Sequence, residues 1–302
     1  MLESINPIYA IILALLIALL RYPAQSDSRI SSLPASSPST ALAGNILLLT
    51  AHPDDECMFF APTILALAAL QQPSGSNEPL KSSLYSMCLS FGNADGLGAI
   101  REYELENSLD IMGVDSTKRT IVDHPDLQDN FTAQWDAHII AEVLKPFVLE
   151  NRISTILTFD REGVSGHPNH KSLPLGVKKL MSSLPEVRLY TLISIPLAQK
   201  YVGILAPALA KFDLYATSLL HFLEVQLANV LAALDISVSS KTPDASAARP
   251  EPMPVFVSGI KDYWVAVQAM RAHSSQLVWF RWLYVAFSRY MWVNEWNEIK
   301  AA

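Results

Sequence analysis

From Ile8 to Leu20 every position is apolar or Tyr, and Arg21, Tyr22 and Pro23 close the run. As a helix the run reaches roughly 20 Å at about 1.5 Å per residue, and adding Ile5 and Tyr22 brings it to roughly 27 Å, close to the thinner bilayer of the endoplasmic reticulum. The pattern predicts a signal-anchor transmembrane helix within residues 1–23. A cleaved signal peptide has the same apolar length but starts with positive charge, whereas this start carries Glu3 and no Lys or Arg. Arg21 and Arg29 belong on the cytosolic side by the positive-inside rule, so the chain after the anchor is expected to face the cytosol. Residues 24–43 are rich in Ser and Pro and read as a flexible linker.

Short apolar runs then alternate with helical patterns. Asn45 to Thr50, Leu84 to Ser90, Arg119 to Val122, Ser154 to Phe159 and Val187 to Ile195 read as strands. Met58 to Leu70, Ala99 to Met112, Trp135 to Glu150 and His170 to Ser182 read as helices. This alternation predicts one layered α/β domain over residues 44–302, with ligands beyond the carboxyl ends of its strands. From Leu214 to Leu234 the apolar run is interrupted by His221, Glu224, Gln226 and Asn229. Those polar groups make a second membrane span expensive, and an amphipathic helix packed on the core or lying on a bilayer fits better. Residues 235–254 have the composition of a disordered insertion. Ala272 to Trp296 is crowded with Trp, Tyr, Phe and Arg, a pattern shared by a packed terminal helix and by an interfacial aromatic and cationic surface.

Composition narrows the function. About half of the 302 residues are apolar, enough for a full core, and a formal charge of -7 without a long basic run argues against nucleic acid as the main partner. The two cysteines, Cys57 and Cys88, each sit in an apolar run, where a buried free thiol is expected, as in a reducing compartment.

The chemistry concentrates in two clusters. Ala51-His52-Pro53-Asp54-Asp55-Glu56 follows the first strand of the sheet directly, and Gly166-His167-Pro168-Asn169-His170 lies just past the strand that ends at Phe159. An imidazole with carboxylates at one strand end is half of a plausible divalent metal site, and two such clusters after separate strands of a parallel sheet can converge. A three-ligand site with an open position for water is what metal-assisted hydrolysis requires. Arg101 offers a guanidinium fork to a phosphate, or a surface partner to Glu102 or Glu104. Asp160 either holds a ligand imidazole from behind or caps its own loop. His124, His138 and His221 have no matching cluster and are read as structural.

Together the two clusters resemble the metal-dependent de-N-acetylases of N-acetylglucosamine conjugates. The resemblance extends to Phe91-Gly92-Asn93-Ala94-Asp95-Gly96, Arg101-Glu102-Tyr103-Glu104-Leu105, Thr158-Phe159-Asp160 and Gly163-Val164-Ser165-Gly166. His273-Ser274-Ser275-Gln276 and Trp279-Phe280-Arg281-Trp282-Leu283-Tyr284 look like the eukaryotic branch, which acts on N-acetylglucosaminyl-phosphatidylinositol in GPI-anchor biosynthesis. The likeness runs from about Ile46 to Tyr290. It implies a Rossmann-like, mostly parallel sheet with helices on both faces. It implies His52, Asp55 and His170 as ligands of a divalent metal, zinc before other first-row ions. Asp54 would be the general base and proton shuttle, and His167 the stabiliser of the oxyanion. It also implies a glycolipid substrate at the cytosolic face of the endoplasmic reticulum. The competing readings are a deacetylase of a soluble N-acetylglucosaminide, against which the apolar anchor speaks, and a silent membrane scaffold or nucleotide-binding module. No Gly-x-Gly-x-x-Gly follows the first strand of the sheet.

Overall fold

The structure is a computed structural model and describes residues 7–26, 44–71, 82–233 and 254–300. Most of the linker reading and nearly all of the insertion reading lie outside the described residues. The strands are β1 (Ala24–Gln25), β2 (Asn45–Thr50), β3 (Leu84–Cys88), β4 (Arg119–Ile121), β5 (Ile153–Phe159), β6 (Arg188–Leu192), β7 (Val255–Val257) and β8 (Val293–Ile299). The helices are α1 (Pro7–Arg21), α2 (Asp55–Phe59), α3 (Ala61–Gln71), α4 (Gly98–Ile111), α5 (Ala137–Glu150), α6 (Gly163–Gly166), α7 (Pro168–Met181), α8 (Leu197–Lys200), α9 (Leu205–Ala233), α10 (Ile260–Ala272) and α11 (Trp279–Phe287).

The eight strands form one sheet in the order β1-β7-β8-β6-β5-β2-β3-β4. β4, β3, β2, β5 and β6 run parallel, whereas β8, β7 and β1 join through antiparallel pairings. The sheet is therefore mixed, with a parallel half that carries the two motif loops. β2 reads Asn-Ile-Leu-Leu-Leu-Thr and is buried from Ile46 onward, as a strand covered on both faces must be. The chain leaves β2 toward β3 and leaves β5 toward β6, in opposite directions. Right-handed crossovers then put α3 and α4 on one face and α5 and α7 on the other. The carboxyl ends of β2 and β5 meet at this reversal, where an open α/β sheet forms its crevice.

Three segments depart from the sequence pattern. The helix expected over Met58 to Leu70 is two helices, α2 and α3, because Pro62 lacks an amide and its ring would clash with the carbonyl of Met58 in a continuous helix. The segment Ala272 to Trp296 is not one helix: α11 ends at Phe287, a turn at Arg289–Met291 follows, and Val293 starts β8, whose Trp296 is fully buried. The helix α9 packs on the body through its first turns, at Ala206, Ala210, Lys211 and Leu214, and from Leu219 to Val230 its large apolar side chains are exposed. Packing on the core does not describe its far half.

Lys211 of α9 is buried and donates to the carbonyls of Leu19 (2.8 Å) and Tyr22 (2.5 Å). A cation there satisfies carbonyls at the end of α1 and complements the negative end of its dipole. No helix among the described residues is long and apolar enough to cross a membrane. The 15 residues of α1 reach about 22 Å.

Candidate active site

The β2 loop turns sharply at Asp54, whose φ of 103° is left-handed for a residue with a side chain. Such a conformation costs about 1–3 kcal/mol and persists only where the surroundings hold it. Here the Asp54 amide donates to Glu56 Oε2 (2.9 Å), and Glu56 is gripped by Ser108 Oγ (2.5 Å) and by His273 Nε2 (2.7 Å). The turn throws adjacent carboxylates in different directions. Asp55 Oδ2 accepts from the amides of Ala51 (3.0 Å) and His52 (2.9 Å), leaving Oδ1 3.1 Å from His170 Nε2. Asp54 Oδ2 lies 2.8 Å from the Arg281 guanidinium without accepting a well-formed hydrogen bond.

The hydrogen bonds decide which ring nitrogens face the centre. His52 Nε2 faces two oxygens, Asn169 Oδ1 (3.0 Å) and Asp129 Oδ1 (3.3 Å), so the neutral ring carries its proton there. His170 Nδ1 faces the Gly163 carbonyl (3.2 Å) and is protonated in the same way. The lone pairs of His52 Nδ1 and His170 Nε2 then point at each other across 3.3 Å, with Asp55 Oδ1 3.1 Å from His170 Nε2 and Asp55 Oδ2 4.0 Å from His52 Nδ1. Two lone pairs and a carboxylate at this separation repel unless a cation lies between them. A tetrahedral ion with bonds of about 2.0–2.1 Å spaces its ligands by about 3.3 Å, so the donor set fits a divalent metal. Histidines 52, 167 and 170 bring their nitrogens within 4.8 Å of one another, which leaves His167 at the edge of the same centre.

The charge states follow. Burial opposes ionisation of Asp55, but His170 and His52 outweigh it and hold the carboxyl below its ordinary range. Burial raises Asp54 to about 6, although Arg281 pulls the other way. Burial and the neighbouring imidazoles lower His167 to about 4. His167 also caps α7, its Nδ1 accepting from the Asn169 amide (3.2 Å), so the neutral ring carries its proton on Nε2. At neutral pH it is a donor.

Arg101 makes contacts that neither of its readings named, and Asp160 takes the loop-capping one of its two. Arg101 is 11% exposed and its guanidinium donates to the carbonyls of Gly92 (2.6 Å) and Pro53 (3.0 Å), with Asp129 at 3.4 Å. It fastens the β2 and β3 loops together and pairs with neither Glu102 nor Glu104. Gly92 has φ 63° and any side chain there would overlap that guanidinium. Asp160 does not touch a ligand imidazole. Its Oδ1 accepts from Gly163 N (2.9 Å) and Glu162 N (3.1 Å), and its Oδ2 from Ser194 N (2.7 Å). It is a loop cap that fixes Gly163, and the Gly163 carbonyl orients His170. A Cβ on Gly163 would lie 2.8 Å from that of His170. Sequence reasoning passed over Asp129, Asn169, Glu56 and Arg281. Glu56 and Asn169 carried a signal in their places inside the two clusters, and Arg281 in a stretch that bears the family resemblance, whereas Asp129 carried none.

With this geometry in place, the chain can be set beside known proteins. A family model described as PIG-L: GlcNAc-PI de-N-acetylase matches residues 47–181, which span both clusters. The N-acetylglucosaminyl-phosphatidylinositol de-N-acetylase of Bos taurus is 37% identical over 254 residues, 83% of this chain and 82% of that protein. The chain belongs to the GlcNAc-PI de-N-acetylase family. A family member from Saccharomyces cerevisiae, also an N-acetylglucosaminyl-phosphatidylinositol de-N-acetylase, is 30% identical over 260 residues, 83% of this chain and 80% of its own. Among solved structures, the N,N'-diacetylchitobiose deacetylase from Pyrococcus horikoshii superposes with a TM-score of 0.52 at 12% identity, covering 99% of this chain and 95% of that one. That likeness concerns the fold. Within the family fold, the paired strand-end loops of this de-N-acetylase carry the side chains of the candidate metal centre. The buried thiols of Cys57 and Cys88 are free.

Proposed function

We propose that the chain hydrolyses the acetamide of N-acetylglucosaminyl-phosphatidylinositol to the free amine and acetate, a step of GPI-anchor biosynthesis. The observation that carries this reading is the approach of His170 Nε2 to both His52 Nδ1 (3.3 Å) and Asp55 Oδ1 (3.1 Å), with His167 at the edge of the same cluster and the buried Asp54 carboxylate next to it, in a chain of this family. His52, Asp55 and His170 would hold a divalent metal, with zinc the ion best matched to that set. When bound, the ion supplies Lewis acidity toward the acetamide oxygen and the attacking water. Asp54 takes a proton from the water and returns it to the departing amine. His167 donates from Nε2 to the developing oxyanion. The division of labour between the aspartates follows from the turn, since Asp55 is fully committed to ligand and backbone contacts.

The same reading places the domain against the endoplasmic reticulum membrane on its cytosolic side, with the apolar helix of residues 1–23 as its single-pass anchor. The apolar exposure of Ile8, Tyr9, Ile11, Leu13 and Leu15 supports it. Purified full-length protein should release acetate from the glycolipid, lose that activity to a chelator and regain it with zinc. Full turnover by metal-free protein would remove the mechanism. Failure to release acetate in the presence of metal would remove the substrate.

A further inference from the structure

The base Asp54 has a charged neighbour that the hydrolysis just described does not use. Arg281 projects from α11 so that its Nη2 lies 2.8 Å from Asp54 Oδ2, and its other terminal nitrogen rests on the Met58 sulfur. The side chain is 27% exposed, so one flank of the guanidinium faces solvent while the other faces the site. That flank opens into a cleft of about 390 Å³ lined by Met58, Tyr201, Phe280, Leu283, Tyr284 and Phe287. Apart from the guanidinium and the tyrosine edges its walls are hydrocarbon and aromatic. The Tyr284 hydroxyl is tied to the Met58 carbonyl (3.0 Å), which keeps that edge in place.

The cleft does not end in open solvent chemistry. Trp279, Phe280, Trp282, Leu283 and Phe287 of α11 are all exposed. The Gly203 amide donates to the Phe287 carbonyl (2.8 Å), joining the start of α9 to the end of α11, and Lys211 of α9 holds the end of α1. The elements α11, α9 and α1 thus adjoin, and each exposes large apolar side chains. A ligand entering from that surface meets hydrocarbon walls first, then one cation, then the metal-ligating loop. Such an order suits a molecule that carries acyl chains, a phosphodiester and an acetamido sugar in sequence. A guanidinium fork matches phosphate oxygens, and its strength is greatest where water is partly excluded.

We propose that Arg281 is the phosphodiester-binding residue for a lipid-linked amino sugar, and that the α11 cleft takes the hydrocarbon adjoining the phosphate while α11 and α9 lie on the bilayer that α1 enters. The inference rests on the amidase reading above and adds the site that would recognise the lipid part. Arg101 is turned inward to backbone carbonyls, so it does not compete for this role.

The test compares three N-acetylglucosamine substrates of full-length protein loaded with zinc: the phosphodiester carrying its lipid acyl chains in mixed phosphatidylcholine and phosphatidylinositol vesicles, the water-soluble phosphodiester without lipid acyl chains, and the phosphate-free N-acetylglucosaminyl-inositol. Arg281→Met is expected to lower the ratio of kcat/KM between the deacylated phosphodiester and the phosphate-free compound by about 10- to 100-fold, and Arg281→Lys by much less. Using a ratio removes any general loss that comes from disturbing Asp54. Phe287→Glu puts a charge in the hydrocarbon path and is expected to lower the acylated-to-deacylated ratio and to weaken vesicle sedimentation. Its readout stands even if the Arg281 variants do not fold. A phosphate ratio unchanged in Arg281→Met, or an acyl ratio and vesicle binding unchanged in Phe287→Glu, would overturn the proposal. If wild type turned over none of the three, the amidase reading would fail instead.

Discussion

His273→Ala tests how the strained base turn is held. In the wild type the imidazole Nε2 lies 2.7 Å from Glu56 Oε1, both side chains are fully buried, and Glu56 Oε2 in turn holds the Asp54 amide. Removing the ring leaves Glu56 with Ser108 and that amide but no counter-charge, in a place water does not reach. Breaking one side of a buried pair costs about 3–5 kcal/mol. At roughly 2–3 °C per kcal/mol for a domain this large, Tm should fall by roughly 6–15 °C, read by calorimetry or circular dichroism. Adding Glu56→Gln should recover part of the loss, because the cost is the uncompensated charge rather than the missing ring. Burial works against the charge on His273, but Glu56 outweighs it and its pKa lies above 6.5. Its share of stability is therefore complete below pH 6.5 and lost as pH rises through the raised value. Burial opposes ionisation of Glu56 too, but His273 outweighs it and its pKa lies below 4.5. Its share is complete above pH 4.5 and lost as pH falls through the lowered value. The deficit of the variant should be largest between about pH 4.5 and 6.5. A loss under about 1 kcal/mol, or no recovery on adding Glu56→Gln, would refute the reasoning.

Further outcomes follow from the same geometry. Asp54→Asn should keep its metal, measured by atomic absorption, and lose about 10²- to 10⁴-fold in turnover, whereas His170→Ala should lose both metal and turnover; loss of metal from the Asn variant with normal turnover per bound ion would reverse the two aspartates. A base must be ionised, so kcat/KM should fall as pH drops through about 6, where burial holds Asp54. Arg281→Met removes a cation that favours the carboxylate, so this limb should move to higher pH, and a shift to lower pH would contradict the assignment. Asn130-Phe131-Thr132 is an N-glycosylation acceptor in an exposed turn. With the domain cytosolic, Asn130 should carry no glycan in protein from its native host, and mass spectrometry of that peptide showing one would place the domain in the lumen.

Much of the site was legible because its chemistry sits in two short clusters, one directly after β2 and the other in the connection that follows β5, and local sequence controls segments of that length. What lay outside those clusters was not legible. Asp129 and Arg281 reach the centre from segments with no periodic relation to it, 77 and 229 positions from His52 by number. Arg101 and Asp160 were visible as residues but not as roles, since a guanidinium or a strand-end carboxylate serves a ligand or its own backbone according to which carbonyls and amides fold around it. The antiparallel edge was missed for a related reason. β7 is three residues long and β8 follows an aromatic helix without a Gly or Pro boundary, so the pairing of β8 with β6 and of β7 with β8 is a long-range decision.

The apolar alternation from Asn45 to Leu192 by itself determined a parallel α/β core, because strands buried on both faces and helices buried on one demand distinct spacings that few other folds satisfy. The order of His52, Asp54, Asp55, His167 and His170 along the chain likewise determined which side chains stand at the strand ends. Tertiary structure alone decided which imidazole nitrogens carry protons, that Glu56 and His273 brace the turn at Asp54, and that Arg281 stands between Asp54 and an apolar cleft. Those facts depend on groups brought within about 3 Å from distant parts of the chain, and hydrogen-bond and Coulomb energies at that range are set by packing rather than by sequence neighbours.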